Sequence, residues 1–142
     1  MTSRWEDSFE RGSLVRWSVF GAVQAAVSGT VANSGVLSLE EKGDAGVVFR
    51  DIGGLTPGQV YRVAARARSS PGAARQALLF AHDTTGANVA LDGWRTPSSA
   101  AWDEFGLNFT ATASGKVRVH LYTTGGAGSL YWDDVAVSKA AP

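Results

Sequence analysis

YRVAARARS, residues 61–69, alternates without a break. Tyr61, Val63, Ala65 and Ala67 fall on one side, and Arg62, Ala64, Arg66 and Arg68 on the other. A period of two marks a strand with one buried face and one wet face. The same pattern recurs downstream. EFGLNFTAT (104–112) sets Phe105, Leu107 and Phe109 against Glu104, Gly106 and Asn108. KVRVHLYTT (116–124) sets Val117, Val119 and Leu121 against Lys116, Arg118, His120 and Tyr122. QALLFAHD (76–83) is more uniformly apolar and reads as a strand buried on both faces. SVFGAVQAAV (18–27), GVLSLEE (35–41) and AGVVFRDI (45–52) are shorter candidates.

Turn signals separate these runs. LTPGQ (55–59) has Pro57 followed by Gly58, as a type II turn requires. SSPGAA, TTGAN, TASGK and TTGGAGS place glycine where a positive φ is needed. The best helical rival, SSPGAARQALLFA (69–81), opens on Pro71 and Gly72 and has no cap at its end. The spacing predicts one all-β domain over residues 1–142, an antiparallel sandwich of two sheets with about eight to ten strands.

The chain has 142 residues, 13 basic and 13 acidic, so its net charge is zero. The charges are interspersed, which argues against nucleic acid or an anionic membrane as the main partner. With no cysteine, neither disulfides nor cysteine-ligated zinc can brace the fold. No apolar run approaches a membrane span, and MTSRWEDSFERG lacks the apolar core of a signal peptide. This start fits an intracellular protein or a domain of a longer secreted chain.

Four stretches, in order, carry a resemblance: DSFERGSLVRW (7–17), GLTPGQVYRVAARAR (54–68), AWDEFGLNFTATASGKVRVHLY (101–122) and YWDDVAV (131–137). Together they resemble the jelly-roll carbohydrate-binding modules attached to xylanases and glucanases, within the galactose-binding-like superfamily. The resemblance spans essentially the whole chain. It implies a non-catalytic module that binds a polysaccharide or oligosaccharide, monomeric and extracellular as part of a larger protein, targeting an appended enzyme. It also places Trp17 and Trp102 in the core framework. Trp5 is read as covering one end of the sandwich, and Trp132 is left unassigned.

Asp133 and Asp134 interrupt an apolar strand near the C-terminus. By alternation with Val135 and Val137, Asp133 points inward and Asp134 outward. A buried carboxylate requires a cation or several donors. In modules of this type the last strand often lies near the first, with structural calcium between them. The resemblance therefore implies Ca2+ held by Glu10 and Asp133, with Asp134 and Asp7 as substitutes. The alternative is that Asp133 accepts backbone N–H bonds or pairs with an arginine.

For the sugar, the outward faces of the strands suggest Arg66, Arg68, Asn108, His120 and Tyr122 on one shared sheet, with Trp94 of the turn-rich LDGWRTPSS at its edge. Aromatic planes stack on sugar C–H faces and planar polar groups hold hydroxyls. The alternative is a plain solvated face, and a structural or protein-interaction jelly roll of a cell-surface or phage-tail protein. Exposed aromatics discriminate between the two. Enzyme readings are weak: His82 and His120 have no nucleophile elbow, and adjacent strand carboxylates make a poor acid–base pair.

Overall fold

The computed structural model describes residues 4–140. Nine strands, and no helix, occur among them: β1 (Arg4–Asp7), β2 (Ser18–Ser28), β3 (Ser38–Ile52), β4 (Val60–Ser69), β5 (Ala77–His82), β6 (Ala90–Arg95), β7 (Asp103–Thr110), β8 (Val117–Thr123) and β9 (Ser129–Lys139). All pairings are antiparallel. One layer runs β6-β5-β8-β3, and the other runs β9-β4-β7 with β1 on β9. The long β3 joins them. Its first part, Leu39–Lys42, pairs with β9, and its last part, Gly46–Ile52, pairs with β8.

The core lies between the layers, where the alternating residues meet. Tyr61, Val63, Ala65 and Ala67 of β4 and Phe105, Leu107 and Phe109 of β7 face Leu79 of β5 and Val117, Val119 and Leu121 of β8 in a single buried cluster. The expected inward faces of β4, β7 and β8 are therefore the observed ones. β5 departs from its expected double burial, because Phe80 and His82 are only partly covered.

Strand β9 departs from simple alternation. Ala136 pairs with Ala64, and Asp133 pairs with Arg66, so β9 carries one extra residue at this point. Such a bulge shifts the alternation. Asp134 takes a φ of 49°, uncommon for a residue with a side chain. Trp132 and Val135 consequently both reach the core, and Trp132 is fully buried rather than sharing the face of Asp134. Trp102 is the reverse case: it is only half-buried and lies outside the core cluster, whereas Trp17 is buried as expected.

Candidate functional site

The carboxylates of the C-terminal strand act as a clasp. Asp133 is fully buried, and its Oδ2 accepts the backbone N–H groups of Asn33 (2.8 Å) and Ser34 (3.1 Å). Its Oδ1 accepts the N–H of Asp134 at 2.8 Å. Asp134 Oδ1 accepts the hydroxyls of Ser8 (2.6 Å) and Ser34, and its Oδ2 accepts Asn33 Nδ2 at 2.6 Å. Glu10 holds the far end of the same loop, accepting the N–H groups of Val36 (3.0 Å) and Leu37 (2.8 Å). Gly35 between them has a φ of 61°, and a Cβ there would lie 2.4 Å from the Glu10 carboxylate. Burial pushes Asp133 up to about 6, against the opposite pull of its three N–H donors.

Asp133 accepts three backbone N–H groups, the arrangement its second reading describes. A calcium ion shared by Glu10, Asp133 and Asp134 does not fit this arrangement. Their oxygens face N–H and O–H donors, and no cluster of three metal-ligating side chains occurs among the described residues. Asp7, the other substitute, accepts the Phe9 N–H (2.7 Å) and Trp17 Nε1–H (2.9 Å). Melting temperatures in chelator and in added calcium are expected to coincide. A calcium-dependent rise that Asp133→Ala abolishes would restore the ion.

The outer face of the β6-β5-β8-β3 layer has a different character. Cross-strand pairing lines up Val47, Tyr122 and Leu78 in one row, Phe49, His120 and Phe80 in the next, and Asp51, Arg118 and His82 in the third. His120 is stacked between Phe49 (5.5 Å, 26°) and Tyr122 (5.6 Å, 16°), with Phe80 edge-on to His120 and Tyr122. Trp94 stands 6.1 Å from Tyr122 and is 45% exposed. Leu91, opposite Phe80, and Phe20, opposite Val47, are more exposed still. β6 closes onto β5 through Gly93, where a Cβ would meet the Ala77 carbonyl at 2.6 Å.

The polar groups of this face are fixed. Arg118 grips Asp51 through Nε (2.6 Å) and Nη2 (3.0 Å) while lying over Phe49. His82 Nδ1 is 2.5 Å from the Asp83 carbonyl, which only accepts, so that nitrogen carries the proton. In the neutral pair His82 Nε2 then accepts from His120 Nε2–H at 2.9 Å. Burial first, then the nearby His82 and Arg118, depress His120 to about 4. It is therefore neutral at physiological pH, a flat polar ring inside an aromatic row.

Of the expected sugar residues, Trp94, Tyr122 and His120 come together here. Arg66, Arg68 and Asn108 do not. They sit on β4 and β7, on the outer face of the other layer, because β4 and β8 lie in different layers rather than one. Arg66 there pairs with Glu104 at 3.9 Å. Phe20, Phe49, Phe80, Leu91 and His82 belong to the face although the sequence reading passed over them. The signal was the alternation of VVFRD and LLFAH, masked by apolar neighbours on both sides.

Solved structures share this architecture. The CBM22-1 xylan-binding domain of Paenibacillus barcinonensis Xyn10C superposes with a TM-score of 0.73 at 18% identity, over 96% of this chain and 95% of that one. TmCBM61, solved in complex with β-1,4-galactotriose, gives 0.76 at 17% identity, over 94% of each chain. The enzymatically active domain of bacteriophage CBA120 tailspike protein 4 gives 0.68 at 13% identity, over 92% of this chain and 20% of the phage chain. No family model matches the sequence, and no curated protein matches it either. The fold is the antiparallel β-sandwich that these solved structures share.

Proposed function

We propose that the chain is a non-catalytic module that binds a neutral polysaccharide across the outer face of β3, β8, β5 and β6, as part of a secreted, carbohydrate-active protein. The observation that carries this reading is the row of rings Phe49, His120, Tyr122 and Trp94 across one sheet face, with Trp94 and, on β2, Phe20 exposed. Exposed apolar side chains grouped on one face in this way mark a binding surface. At about 4.8 Å per strand, the span from β2 to β6 is roughly 19 Å, room for an oligosaccharide lying across the strands. The bidentate Asp51 partner commits Arg118, so the face suits hydroxyls better than a ligand charge. The xylan- and galactotriose-binding neighbours named above support the same use of the fold.

Affinity electrophoresis on xylan, β-1,4-galactan, β-glucan and mannan, followed by calorimetry, tests this. Trp94→Ala or Tyr122→Ala is expected to weaken binding roughly tenfold, the loss of one stacking plane and its apolar area. Unfolding of the Trp94 variant should hardly change, since that side chain is 45% exposed. Binding that survives both substitutions would place the ligand elsewhere. Failure to bind any glycan would favour a structural or protein-interaction role.

A further inference from the structure

A second cleft opens on the other side of β3. Arg50 follows Phe49 directly, so its side chain leaves the strand away from the aromatic face. It reaches toward β1, where its guanidinium lies 4.7 Å over the Trp5 ring and 3.6 Å from Asp7 Oδ2. Arg11 and Arg16, from the loop between β1 and β2, line the same cleft of about 300 Å³, with Trp5 and Trp17 as its walls.

The charges there are not balanced. Asp7 is already engaged by the Phe9 N–H, the Trp17 indole N–H and Arg50. Arg11 and Arg16 form no ion pair among the described residues, and both are exposed. Their repulsion, after burial and against the pull of Asp7, helps to hold Arg50 below its ordinary range. Glu6, also on the rim, is the only other carboxylate in the lining. Three guanidiniums therefore meet two acids, and Asp7 is committed to holding Arg50 and Trp17 in place.

We propose that this cleft is a second binding site, for a pyranose bearing a carboxylate, a uronic acid, separate from the aromatic face. Guanidinium forks match a carboxylate, whose charge the two free arginines would neutralise. The half-buried Trp5 gives an apolar wall against which a sugar ring can lie. The volume is at the lower end of small-molecule pockets, roughly 300–1,000 Å³, which suits a single ring rather than a chain.

The Trp5 and Trp17 indole N–H resonances report on this cleft directly. Titrating the 15N-labelled protein with glucuronate should shift them saturably in the millimolar range, and glucose should not. Arg11→Ala combined with Arg16→Ala should weaken the response roughly tenfold, since two exposed charge-assisted contacts go. Unchanged indole positions in the unliganded double variant would show that it folds. Trp94→Ala should leave the titration as it was, so the outcome is independent of the aromatic face. Acetate or sulfate producing the same shifts as tightly as glucuronate would overturn the sugar assignment. No saturable shift, or one abolished by Trp94→Ala but kept in the arginine variant, would overturn the site.

Discussion

Arg75→Met is expected to cost about 3–5 kcal/mol, the usual range when one partner of a buried charged network is removed. Arg75 is fully buried in the loop before β5. Its Nε donates to the Gly128 carbonyl (2.8 Å), its Nη1 to Thr124 (2.9 Å), and its Nη2 to Gly126 (2.8 Å) and Gly43. One side chain thus ties the β8–β9 turn to the point where β3 passes between layers. Methionine fills much of the space but donates nothing, so each carbonyl loses its partner at about 1–3 kcal/mol if it stays dry. Glu41, also fully buried, loses the positive charge that opposes its desolvation. Arg75→Lys should rescue little, because a point charge cannot serve carbonyls on several sides. Urea unfolding with an unchanged m-value measures the loss. A cost below about 1 kcal/mol would mean that water replaces the guanidinium. The proposed binding face is coupled to this hub, since the turn it fixes follows directly on β8, which carries Tyr122.

Arg75 also shows where the sequence becomes opaque. SSPGAARQ reads as a turn, and nothing local says that its arginine goes inside. The inward faces of β4, β7 and β8 were legible because period-two patterning is set residue by residue against water. Layer membership was not, because pairing joins distant segments and alternation is the same in either sheet. That is why Arg66, Arg68 and Asn108 were grouped with Tyr122 although the whole core lies between them. The β9 bulge hid Trp132 in the same way. A single extra residue puts Trp132 in the core although it lies an odd number of positions from Val135. The paired carboxylates were legible as an anomaly, and the donors that answer it come from a loop about a hundred positions away.

Trp132→Ala is expected to destabilise by about 3–5 kcal/mol, the range for truncating a buried aromatic. Trp132 is the largest fully buried side chain and packs edge-on against Phe105 at 5.3 Å. Its Nε1–H also donates to Glu41 Oε1 at 2.8 Å, while Glu41 Oε2 has no hydrogen-bond partner. Removing the indole therefore leaves both a cavity and a buried carboxyl without its donor. Trp132→Phe separates the two effects, because it keeps most of the ring. Burial holds Glu41 well above the usual carboxylate range, and the Trp132 hydrogen bond and Arg75 pull it back down. Without the indole donor, Glu41 should titrate higher still. A group raised in the folded state contributes stability below its unfolded pKa and loses it as pH rises through the folded one. The deficit of Trp132→Phe against wild type should therefore grow once pH rises through the folded pKa of wild-type Glu41, where the wild type ionises and the variant does not. Trp102→Ala, half-buried and outside the core, is the contrast: about 1 kcal/mol, with no such pH dependence. Equal losses for Trp102→Ala and Trp132→Ala, or a Trp132→Phe deficit flat with pH, would show that the indole does not act on Glu41 as its geometry requires.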